Sequence, residues 1–274
     1  MQKDNSALRV QIFGAHPDDC DIRAGGVATL YARAGHQVQM VSLTNGAAGH
    51  HEMGGAPLAW RRRQEAAAAG ATLGCEYLVL DYPDGGLEPS LDARAEVVRL
   101  IRRFRPDLIL APRPWDYHPD HRAAAQLVMD GMFLATVPNV VSDEPHMARM
   151  PVGVYVWDGF QRPYPFTPDL VVRIDDALDY KLAALHCHTS QVYEWLPYNA
   201  GALDQVPQGE QERLAWLRGW YMARSAHLAE QYRPQLAQRY GVAQAEAVQA
   251  VEAFEASEYG APLTPAAAER LFPF

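Results

Sequence analysis

Four short apolar runs punctuate the first 111 residues: Arg9–Ala15, Gln37–Thr44, Glu76–Asp81 and Asp107–Ala111. Each has the length of a strand and runs into a polar or Gly-rich loop. Between them lie Ala24–Ala34, Leu58–Leu73 (stopped by Gly74) and Leu91–Phe104, which read as helices. In the last of these, Leu91, Val98, Ile101 and Phe104 recur at helical spacing. Strands alternating with helices of this length predict βαβ units and an α/β fold. The expected architecture is Rossmann-like, a mostly parallel sheet flanked by helices. The strand candidates are apolar runs, as strands covered on both faces are. Ligands in such folds bind beyond the carboxyl ends of the strands. The loops expected to converge there are 16–21, 45–57, 82–90 and 112–121.

Past about residue 140 the pattern changes. Val152–Trp157 and Leu170–Ile174 read as further strands. Ala177–His186, Gly209–Tyr232 and Val242–Ala256 read as helices. Aromatic residues and prolines cluster around 157–168 and 193–198. The expectation is one domain over 1–274, with a core at roughly 8–190. A helical and loop cap would shape a pocket, and a helical extension would occupy roughly 200–274.

The loop after the first strand reads Ala15-His16-Pro17-Asp18-Asp19-Cys20-Asp21, and the loop after the fourth reads Trp115-Asp116-Tyr117-His118-Pro119-Asp120-His121. Capping aspartates and surface histidines would explain either loop alone. Two such loops at equivalent strand ends, each with His-Pro-Asp, point to one site. Two histidines and one aspartate make a three-ligand metal site with an open position for water, as catalytic zinc uses. Fe(II) sites use the same donor types, so the metal stays open. Metal-activated hydrolysis also needs a carboxylate base and an acid or oxyanion donor. Asp18 and His118 are the candidates, with Asp120 placed to orient an imidazole.

At these residues the chain resembles the LmbE-like, or PIG-L, family of zinc-dependent N-deacetylases. Ala15–Asp19 matches the family's AHPDD motif, Gly25-Gly26 a following Gly-Gly, and His118–His121 its HPDH motif. Arg62 and Glu65 match an Arg-x-x-Glu element, and His188–Gln191 a His-x-Ser-Gln element. The resemblance is good over about the first 125 residues. It implies a Rossmann-like fold with His16, Asp19 and His121 as metal ligands and Asp18 as general base. It further implies His118 as acid or transition-state donor, Asp120 tuning it, and Arg62 reaching substrate or oxyanion. The implied substrates are N-acetylated amino sugars and their conjugates, although some relatives cleave other amides or perform hydrations. Where the family often has Glu two residues after the second Asp, this chain has Asp21.

Other residues carry weaker signals. His50 and His51 lie in the Gly-rich second loop, where His50 is a substrate candidate. His188 is a second candidate, with a core histidine as the alternative. Asp84, in Tyr82-Pro-Asp-Gly-Gly, reads as a turn residue, and Cys20 as a packed core thiol. Trp157, Tyr164, Phe166, Tyr193, Trp195 and Tyr198 suit either sugar faces or ordinary packing. No GxGxxG follows the first strand, which disfavours a dinucleotide.

The 274 residues carry a formal charge of −9 and only one tight basic run, Arg61–Arg63, so nucleic acid is not an expected partner. No stretch approaches a membrane span. The N-terminus lacks a signal-peptide pattern, and the three cysteines form no CxxC pair, so a cytoplasmic location is expected. A homo-oligomer is left open. The preferred reading is a metal-dependent amide hydrolase acting on a small N-acylated sugar or conjugate, with Zn2+ preferred and Fe2+ or another divalent ion open. Its rivals are a metal-dependent hydratase or lyase, with Arg62 gripping a carboxylate, and a non-catalytic binding protein.

Overall fold

The computed structural model describes residues 6–274. Strands β1 (Arg9–Gly14), β2 (Gln37–Thr44), β3 (Glu76–Tyr82), β4 (Leu108–Ala111) and β5 (Val152–Val156) all run parallel. They are joined by helices α1 (Asp19–Arg33), α2 (Gly55–Leu73), α3 (Leu91–Phe104) and α4 (Pro119–Leu134). Two more strands, β6 (Leu170–Arg173) and β7 (Val251–Ala256), complete a seven-stranded sheet in the order β3-β2-β1-β4-β5-β7-β6. The later helices are α5 (Leu178–Cys187), α6 (Leu196–Asn199), α7 (Glu210–Gln231), α8 (Arg233–Tyr240), α9 (Val242–Ala247) and α10 (Pro265–Leu271).

The expected α/β architecture is present, and both faces of the sheet are covered. Leu108 and Leu110 join one core cluster with Val10, Ile12 and Met40, whereas Ile109 and Ala111 join the other with Phe13, Val41 and Leu43. Alternate residues thus enter opposite apolar layers, which is why the strands read as unbroken apolar runs. Among the described residues no helix is long and apolar enough to cross a membrane.

Three boundaries differ from the sequence reading. Helix α1 begins at Asp19 rather than Ala24, so the second aspartate of the first motif already lies in a helical turn. Residues Pro119–Leu134, only whose first part was read (as a loop), form α4, with proline at a first-turn position that needs no backbone donor. The segment Val242–Ala256, read as one helix, is a short helix and then β7. That strand is antiparallel to both neighbours, β5 and β6. Its Ala, Gln and Glu content favours helix, but Val251, Ala253 and Phe254 are buried, and so is Glu252. Glu252 receives the Lys181 ammonium at 2.6 Å and backbone N–H groups of Gly26 and Val27, each at 2.8 Å. Tertiary packing thus overrides local propensity at β7, which enters the sheet while the rest of the C-terminal stretch carries helices α7–α10.

Sheet order also locates the site. The chain winds from β1 outward to β3, then returns across β1 to β4. The loops after β1 and β4 therefore diverge at a topological switch point, where doubly wound sheets open a crevice.

Candidate metal centre

Gly14 ends β1 and permits the turn into the site. A Cβ there would lie 2.6 Å from the Cβ of Asp19, so only glycine lets that aspartate fold back over the strand end. Asp19 then accepts the backbone N–H groups of Ala15 and His16 on one oxygen, Oδ2, at 2.9 and 2.8 Å. That same oxygen lies 3.5 Å from His16 Nδ1 and 3.5 Å from His121 Nε2, and the two nitrogens are 3.2 Å apart.

This near-equilateral triangle is a stringent test of metal fit. Donors about 2.0–2.1 Å from a tetrahedral centre are separated by about 3.3–3.5 Å. The three atoms, from the segments that follow β1 and β4, have the spacing that three donors of such a tetrahedron would need. The electrostatics agree. Burial opposes charge on His16, but Asp120, Asp19 and Asp84 outweigh it and raise the imidazole well above its usual value. Burial likewise opposes charge on His121, and Asp19 and Asp116 again outweigh it. The pocket favours positive charge where a cation would sit.

A broader grouping also exists, in which His16, His118 and His121 each bring a ring nitrogen within 4.8 Å of the others. The Asp19 set is the tighter one. His118 has one nitrogen committed elsewhere: it caps α4, and its Nδ1 accepts the Asp120 N–H at 3.2 Å. The proton must then sit on Nε2, making it a donor. Burial lowers the His118 pKa first, and the His16 and His121 charges lower it further.

The outer nitrogens of His16 and His121 meet carboxylates. His16 Nε2 is 3.2 Å from both Asp84 Oδ1 and Asp120 Oδ2, and His121 Nδ1 is 3.1 Å from Asp116 Oδ2. Such partners fix ring orientation and raise ligand basicity. Two corrections follow. Asp84 is a turn residue, as expected, but its carboxylate is also buried against His16, besides accepting the Ala48 and Gly49 N–H groups. Asp120 orients His16 rather than tuning the His118 ring, because its oxygens also accept the Gly85 and Leu87 N–H groups. Asp116 had no assigned role in the sequence reading. Its one signal was a place in the same loop as His118 and His121.

Asp18 caps nothing with its side chain. It accepts Arg62 Nη2 on Oδ1 at 2.7 Å, and Arg62 is 2% exposed. The sequence reading had Arg62 reaching substrate or oxyanion, whereas its charge is engaged by Asp18 and its Nη1 faces the Gly46 carbonyl at 3.4 Å. Burial raises the Asp18 carboxyl, Arg62 opposes the rise and Asp19 adds to it.

The two substrate candidates are not free. His188 is fully buried, with Nε2 3.1 Å from Asp21 Oδ2, and is a core histidine behind the first loop. His50 is pinned by Glu194 at 2.7 Å on Nε2, and its Nδ1 accepts the Glu52 and Met53 N–H groups. The neighbouring Ser190 nevertheless matters. Its hydroxyl and N–H both donate to Glu65, and Thr189 donates there too. The Arg62–Glu65 element of α2 thus faces Asp18 at one end and anchors the 188–191 segment at the other. Cys20 is buried against the Ile12 carbonyl, a packing thiol.

Residues 11–132 match the family described as PIG-L: GlcNAc-PI de-N-acetylase. The chain is also 33% identical over 211 residues to a diacetylchitobiose deacetylase of Thermococcus kodakarensis, covering 71% of this chain and 76% of that protein. The chain belongs to the PIG-L (LmbE-like) family. Its PIG-L fold is shared by an N,N'-diacetylchitobiose deacetylase from Pyrococcus horikoshii, at TM-score 0.69 and 23% identity over 94% of this chain and 87% of that one. It is shared equally by a 4-carboxy-2-hydroxymuconate hydratase from Pseudomonas putida, at TM-score 0.72 and 22% identity over 91% and 96%. The relatives named as deacetylases are hydrolases of carbon–nitrogen bonds.

Proposed function

We propose that this chain is a zinc-dependent hydrolase that removes an N-acyl group, N-acetyl in the first instance, from an amino sugar or sugar conjugate. The observation that carries this reading is the triangle of His16 Nδ1, Asp19 Oδ2 and His121 Nε2. Beside it stand a carboxylate and an imidazole that are not spent as ligands. The deacetylase named in Thermococcus kodakarensis supports the substrate class.

A divalent ion held by His16, Asp19 and His121 would supply a Lewis acid and would acidify a water to a pKa of about 7. The residues supply the rest. Asp18 is the proton acceptor: Arg62 holds Oδ1, which leaves Oδ2 to take a proton from the attacking water. A carboxyl raised by burial is better matched to that task than an exposed one. The Nε2–H of His118 donates a hydrogen bond to the oxyanion that forms as water adds to the amide carbon. Asp18 then returns its proton to the leaving amine. The products are acetate and a free amino sugar.

The hydratase rival assigned Arg62 to a substrate carboxylate, but that guanidinium is already committed to Asp18. Acetate and new amine are expected in equal amounts from one or more members of a panel of N-acetylated sugars. Metal-loaded protein that hydrates an unsaturated carboxylate and releases no acetate would favour the rival.

A further inference from the structure

Two pockets adjoin at the crevice. The first is lined by residues from Asp19 and His121 to Arg23 and Trp157. The second lies between α1 and α7 and is lined by Arg23, Trp157, Lys181, Trp220, Tyr221 and Arg224, among others. They share Arg23 and Trp157, so the second begins where the first ends.

Charge in the second chamber is unbalanced. Lys181 is neutralised by Glu252 at 2.6 Å. Among the described residues Arg23 donates only to the Trp157 carbonyl, at 3.0 Å. Arg224 lies 4.7 Å over the Trp157 ring. Among the described residues neither guanidinium has a carboxylate within ion-pair distance. Asp116 is the acid that Arg23 influences, and it is spent on His121 and the His118 N–H. Arg224 is an exposed residue of α7, and the Arg23 charge disfavours its own. Two like charges meet Trp157, one over its ring and one at its carbonyl; they disfavour each other, and an anion between them would relieve both. Guanidinium forks suit a carboxylate or phosphate, and the indole beside them suits a sugar face.

We propose that the α1–α7 chamber is an anion-binding subsite that takes a carboxylate or phosphate carried by the substrate at a distance from its acyl group. The proposal rests on the deacetylase reading for its substrate: an acidic N-acylated amino sugar rather than a neutral one.

The test has two parts on metal-loaded protein. Inorganic phosphate is titrated against tryptophan fluorescence in wild type, R224Q and R224K. Separately, KM is compared for N-acetylglucosamine, its 1- and 6-phosphates and N-acetylmuramic acid. A saturable phosphate response is expected in wild type, weakened at least about tenfold in R224Q and less in R224K, which keeps a charge but not the fork. At least one acidic sugar should have a KM about tenfold or more below that of the neutral sugar, and R224Q should collapse that ratio toward one. No phosphate response in wild type, an unchanged response in both variants, or equal KM for neutral and acidic sugars would overturn the subsite. A phosphate response lost in R224Q, with no acetate released from any sugar, would overturn the deacetylase reading and leave the subsite standing.

Discussion

Arg62 Nη2 donates to Asp18 Oδ1 across 2.7 Å, inside a pocket that leaves the arginine 2% exposed. The pair joins the middle of α2 to the tip of the first motif loop. Its chemical consequence is that the proposed base is held by one oxygen and offers the other. R62M should lower kcat by about 10²-fold or more, the scale of a mispositioned general base, with a smaller change in KM. R62K should recover part of the loss, because it restores a charge beside Asp18 without the fork. Steady-state kinetics on a released acetate signal check both. A large rise in KM at constant kcat would mean that Arg62 instead binds substrate.

His118 is placed by its own helix. Because its Nδ1 caps α4, Nε2–H is the donor, and its loss should remove oxyanion stabilisation. H118A is expected to lower kcat by about 10²–10³-fold while metal content stays unchanged. Loss of metal along with activity would make His118 a ligand.

Asp116 tests the layer behind the proposed ligands. Its hydrogen bond to His121 Nδ1, at 3.1 Å, sets which nitrogen faces His16 and Asp19. Burial would raise its carboxyl, but His121 holds it below the usual carboxylate range. D116N should weaken metal affinity by about 10–100-fold. Competition against a chelator of known affinity measures this directly, and an unchanged affinity would remove Asp116 from the site.

The buried His188–Asp21 pair yields a pH signature. Burial acts to lower the His188 pKa, but Asp21 outweighs it, so the folded imidazole holds its proton more tightly than the unfolded one. A raised pKa stabilises the fold fully below the unfolded value of about 6.5. The contribution fades as pH rises through the folded value. Denaturant unfolding of H188Q should therefore show its largest deficit against wild type at acid pH, shrinking toward alkaline pH. A deficit that grows with pH would contradict the pairing.

Much of this molecule is legible in its sequence. The parallel strands are apolar runs because both faces are covered, and Gln37–Thr44 and Leu91–Phe104 have the expected bounds. The two His-Pro-Asp motifs stand out because they follow neighbouring strand ends, and the fold brings them together. What stays hidden depends on distance in three dimensions. Nothing local tells Asp84 in a Pro-Asp-Gly turn that His16 lies beside it. Nor does sequence tell which imidazole Asp120 will meet, since both His118 and His121 are nearer along the chain than His16. β7 is misread for a related reason: Glu252 looks like a solvated helical residue until Lys181 and the α1 backbone are brought against it. Gly26 is intelligible only in the fold, where a Cβ would lie 2.7 Å from Ile174.

The most direct test of the account compares wild type and D18N, purified without chelator, for metal per chain and acetate released from N-acetylated sugars. Wild type should hold about one zinc per chain and release acetate, with the activity lost on chelation and restored by metal. D18N should keep the metal and lose about 10²–10⁴-fold in turnover. Acetate release at the wild-type rate by D18N, or by chelated wild type, would contradict it.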